Sequence, residues 1–116
     1  VMDPDGYSQE SLRRDLTVLR RPDAPVAALE ASLYRLQRVH PGPDRAEFVR
    51  VLIDLIRKPE LSPIVRRNAS LALARLGSPD PAHRAALLDA LADPDLSVRA
   101  TCRWALHEWA IVSSEG

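Results

Sequence analysis

The placement of ten prolines constrains this chain more than any other feature. They are Pro4, Pro22, Pro25, Pro41, Pro43, Pro59, Pro63, Pro79, Pro81 and Pro94. Proline has no backbone N–H to donate and collides with the preceding turn, so it breaks a helix interior but fits a helix's first turn. Continuous helix is therefore confined to the intervals between prolines. Gly42 and Gly77 fall in the same gaps.

Six intervals of helical length result, and each carries apolar residues at a 3.6-residue spacing. The spacing predicts a helix over 8–20 with Leu12, Leu16 and Leu19 on one face, and Ser8 or Ser11 as cap. A second, over 24–39, carries Val26, Leu29, Leu33 and Leu36. A third, over 44–57, carries Phe48, Val49, Leu52, Leu55 and Ile56, capped by Asp44. A fourth, over 62–76, carries Val65, Ala69, Ala72, Leu73 and Leu76. A fifth, over 80–92, carries Ala85, Leu88, Leu91 and Ala92, and a sixth, over 95–111, carries Val98, Cys102, Ala105, Leu106 and Trp109. No interval shows the two-residue alternation of a strand. Aromatics are only 4% of the chain, which suits helices packed through aliphatic and small side chains better than a sheet. The connections are short, so neighbouring helices are expected to run antiparallel. A length of 116 residues fits one domain, 1–116.

The fourth and sixth intervals align without a gap at a spacing of 33 residues. Val65 falls on Val98, Arg66 on Arg99, Ala69 on Cys102, Ala72 on Ala105 and Leu73 on Leu106, while Glu60 falls on Asp93. A period of this size is a signature of stacked helix pairs. The run Asp93-Pro94-Asp95-Leu96-Ser97-Val98-Arg99, followed by Ala105-Leu106, resembles the HEAT-repeat family, including its phycobilisome-lyase-type members. The resemblance implies an α-solenoid of about three antiparallel helix pairs, over 8–40, 44–77 and 80–111. The first pair lacks the Val-Arg and looks like a degenerate or capping pair. The resemblance also implies an acid–arginine ladder of Glu60, Arg66, Asp93 and Arg99. On that expectation Arg99→Ala would cost about 1–3 kcal/mol by leaving Asp93 partly buried and unpaired.

No catalytic constellation is visible, and no cofactor is implied. Cys102, His40, His83 and His107 are too scattered for a zinc site. Cys102 takes the place of Ala69 and is expected in the core. The dipeptide His107-Glu108 is similar to the ligand pairs of HEAT-type di-iron hydroxylases, but one such pair cannot hold two irons. HEAT-like DNA glycosylases bind DNA on a basic concave face. Here Lys+Arg and Asp+Glu are equal at 16 each, and the two halves of the chain are also balanced, which argues against bulk attraction to nucleic acid or an anionic membrane. A local strip of Arg67, Arg75 and Arg103, with Arg35 and Arg38, leaves nucleic-acid binding as the alternative function.

The leading expectation is a non-catalytic scaffold or adaptor that binds another protein or a peptide. Trp104 lies off the apolar stripe of the sixth interval, and Leu71 occupies the same angle in the fourth. With Arg67, Ser70, Arg103 and His107 they would form a contact surface resembling an interface hot spot. The alternative for Trp104 is cover from the segment 111–113 folding back. The last helix is apolar on more than one side, so its outer edge is expected to self-associate as a homodimer or to dock elsewhere. A polar start and apolar runs too short to span a bilayer lead to a cytoplasmic, non-membrane expectation, while the single Cys102 excludes an internal disulfide and says little about compartment. Arg supplies 15 of the 16 basic residues, a bias of GC-rich bacterial genomes.

Overall fold

Helices fill the intervals between the prolines. The computed structural model describes residues 9–21, 23–37, 45–76 and 81–115, with side chains described as far as 108 except at 82. Within these residues lie α1 (Gln9–Arg20), α2 (Val26–Leu36), α3 (Arg45–Ile56), α4 (Pro63–Leu76), α5 (Pro81–Asp89) and α6 (Leu96–Glu115), with a 3-10 turn, Ala90–Ala92, closing α5. No strand occurs among the described residues. Pro63 and Pro81 open their helices, where a missing N–H costs nothing. The Ser62 hydroxyl accepts the Ile64 amide at 3.3 Å. Asp95 caps α6 by accepting the amides of Ser97 at 2.9 Å and Val98 at 3.3 Å. Ser8, Asp44, His40, Gly42 and Gly77 lie outside the described residues, as do the side chains of Trp109 and Ile111.

Each odd-numbered helix packs on the even-numbered helix that follows it. The odd helices also touch one another in order, α1 on α3 and α3 on α5, and so do the even ones, α2 on α4 and α4 on α6. Two layers of helices result. The smallest Cα extent, 20 Å against 37 and 36 Å, is two helices deep.

The core lies between the layers. The apolar faces expected of α1, α3 and α4 are buried there almost entirely, with Leu33, Leu52, Val65, Leu73, Val98 and Cys102 at 0% exposure. Each such leucine contributes about 1.5–3 kcal/mol by leaving water. Cys102 is therefore a core residue, and burial pushes its thiol pKa up even though the Ser70 hydroxyl, 3.4 Å away, opposes the shift.

Two faces differ from expectation. Val26 is 44% exposed, because it is the first residue of α2 and lies beyond the core. Among the described side chains of α5 and its closing turn, Ala86, Leu87 and Ala90 are buried, while Ala85, Leu88 and Ala92 are exposed and Leu91 is half-buried. The doublets Ala85-Ala86 and Leu87-Leu88 give this short helix two apolar faces, and the tighter 3-10 turn after Asp89 changes the period that would separate them.

Candidate partner-binding surface and its charged seam

Aligning the first residues of the even helices, Val26, Pro63 and Leu96, brings equivalent positions of the three pairs together. Three residues before each start stand Asp23, Glu60 and Asp93; three residues after stand Leu29, Arg66 and Arg99. Eight residues after stand Tyr34, Leu71 and Trp104.

The first two sets form the seam between pairs. Arg66 on α4 is only 3% exposed and reaches forward to Asp93 in the turn of the next pair. Its Nε donates to Asp93 Oδ2 at 2.8 Å and its Nη2 to Oδ1 at 3.0 Å, a two-pronged, charge-assisted contact. Its Nη1 donates backward to the carbonyls of Pro59, at 3.2 Å, and Leu61. Asp93 Oδ1 also accepts the Asp95 amide at 2.9 Å. One guanidinium thus closes its own turn and ties the following pair to it.

Arg99 behaves differently. Its Nη1 donates to the backbone carbonyl of Asp93 at 2.7 Å, not to the Asp93 carboxylate, so Asp93 would keep its partner if Arg99 were removed. The expected pairing of Asp93 with Arg99 is corrected accordingly. Glu60 is exposed, not a ladder rung. The reason lies in the sequence: the residue placed to reach it from the preceding pair is Leu29, not an arginine.

The carboxyl of Asp93 is pushed up by burial, but the Arg66 hydrogen bonds, the Asp95 amide and the Arg66 charge outweigh this and hold it below its ordinary value of 3.8. A folded-state pKa below the unfolded one means a contribution fully present above the unfolded value and lost as pH falls through the folded one. Wild type should therefore lose more unfolding free energy than Asp93→Asn between about pH 5 and pH 2. Glu47, held down by Arg13 and Arg20, and Asp95, held down by Ser97, leave the variant a smaller acid limb of its own. Parallel acid limbs in urea titrations would contradict this.

Two members of the third set face solvent. Tyr34 is 61% exposed and Trp104 is 47% exposed, with Leu71 half-buried between them in the order of the helices. Arg66 and Ser70 of α4 meet Asp93 and Cys102 in that order, so α4 and α6 run parallel and in register. Arg67, Arg103 and His107 are exposed as expected. Ser70 is not: it is 0% exposed, donates its hydroxyl to the Arg66 carbonyl at 2.9 Å and is covered by α6. Its helical position faces the next pair, so it leaves the contact surface. Tyr34 joins it, and the 33-residue spacing missed this residue because the first pair starts 37 residues before the second. Counting from the proline-marked helix starts would have found it. The segment 111–113 continues α6, which runs to Glu115, rather than folding back over Trp104.

Within the arginine strip, Arg67, Arg75 and Arg103 are exposed, whereas Arg35 is committed to Asp15 at 2.7 and 3.0 Å. Arg38 lies outside the described residues. Among the described residues no three His, Cys, Asp or Glu side chains gather as a metal site, and no helix is long and apolar enough to cross a membrane. Comparison with protein-family models, curated proteins and solved structures finds no match to this chain.

Proposed function

We propose that the chain is a HEAT-like stack of three helix pairs acting as a non-catalytic, cytoplasmic adaptor or scaffold. Its partner is a protein or peptide that lies across Tyr34, Leu71 and Trp104 with Arg67, Arg103 and His107 at the rim. One observation carries this reading: a large apolar or aromatic side chain recurs at the same position of all three even helices, exposed at Tyr34 and Trp104 and half-buried at Leu71. Burial inside the fold does not account for Tyr34 and Trp104, and aromatic anchors beside arginine are what protein interfaces use. The helices hold the row in place before binding, so little conformational freedom is lost on contact. The order of helix contacts and the Arg66–Asp93 tie support the stacked-pair reading.

The test places a photo-crosslinking amino acid at position 34, 71 or 104, with position 88 as control. Leu88 is 51% exposed on the opposite layer and reports general stickiness. A common protein adduct from the three row positions and none from 88 is expected in lysate of the source organism. Adducts equal at 88, or none from the row, would remove the proposal. Capture of nucleic acid that collapses with moderate salt would favour the arginine strip instead.

A further inference from the structure

The seam between the second and third pairs has one of its halves repeated, without the other, at each edge of the described helices. At the C-terminal edge, Arg99 holds the position of Arg66, but no carboxylate reaches it among the described residues, and it is half-buried where Arg66 is 3% exposed. Along the same face Leu106 is half-buried where Leu73 is at 0%, and Arg103 is exposed where Ser70 is at 0%. At the N-terminal edge, Asp23 holds the position of Asp93. Its side chain is 79% exposed, and among the described residues its ion contact is a long one, 3.8 Å to Arg21. Such an exposed pair contributes little, so the carboxylate is free to exchange partners.

We infer that the chain associates head to tail with a second copy of itself, the Arg99 guanidinium of one copy taking the Asp23 carboxylate of the next as Arg66 takes Asp93. The inference needs only the Arg66–Asp93 geometry and does not rest on the partner surface proposed above. Charge complementarity selects this arrangement over a two-fold dimer of C-terminal edges, which would set Arg99 and Arg103 against their own copies. Arg103 stands at the position of Ser70, so the copies meet with its long side chain turned outward and its guanidinium kept in water at the rim of the seam. Because the two surfaces differ, association continues past the dimer.

Sedimentation velocity across a concentration series provides the test. Wild type should show a mass rising with concentration beyond two chains. Arg99→Asp and Asp23→Arg, each set to repel its own kind, should weaken association by about tenfold or more. Mixing the two variants should restore it, because each supplies the charge the other lacks. Asp23→Asn, which alters only an exposed turn residue, should weaken association without touching the fold. A wild type of one chain's mass throughout, a closed dimer, single variants that assemble like wild type, or a mixture that stays apart would each overturn the inference.

Discussion

Asp93→Ala is expected to lower the unfolding free energy by about 3–5 kcal/mol, the range for removing one partner of a buried ion pair. The variant leaves Arg66 Nε and Nη2 without acceptors in a site where the guanidinium is 3% exposed. Arg66 cannot swing out to water, because Nη1 is held by the Pro59 and Leu61 carbonyls. The uncompensated charge must stay buried or drag the turn open. Arg99→Ala is the informative companion. It removes one hydrogen bond to the Asp93 carbonyl at a half-buried position, and its expected cost is about 1 kcal/mol. Urea unfolding of both variants checks the ordering. Equal costs would mean that Asp93 depends on Arg99 after all.

Ser70→Arg is expected to cost about 3–5 kcal/mol or to prevent folding, since it drives a long cation into a packed seam. Ser70 is at 0% exposure, its hydroxyl within 2.9 Å of the Arg66 carbonyl and 3.4 Å of the Cys102 sulfur. A guanidinium there has no carboxylate of its own and would compete with Arg66 for Asp93. The reverse exchange in the last pair, Arg103→Ser, alters an exposed residue and should change stability by no more than about 0.5 kcal/mol in dilute solution. The two substitutions swap residues at equivalent helical positions, so any asymmetry between them measures the presence of a following pair. Thermal or urea unfolding with matched effects would mean that α6 does not cover Ser70.

Much of the secondary structure is legible in the sequence, because it depends on local rules. Proline sterics marked the intervals and the 3.6-residue spacing turned most core faces inward, so Leu12, Leu33, Leu52, Val65 and Cys102 are buried as expected. Where the local pattern was degenerate, as in the doublets of α5, it chose the wrong face for Leu88.

The surface depended on neighbours. A helical wheel places Ser70 and Trp104 both off the main stripe, and it cannot say which side another pair will cover. Tertiary packing buried Ser70 under α6 and left Trp104 at 47% exposure. The ladder divides in the same way. Residue spacing supplied the acids and arginines, but the direction of the tie, from Arg66 forward to Asp93 while Arg99 meets a backbone carbonyl, depends on a distance between two residues 27 apart in sequence that only packing brings together. Periodicity along one helix is set by backbone geometry and is written in the sequence. Which equivalent position ends up buried, paired or bare is set by what packs beside it, and that only the tertiary structure decided.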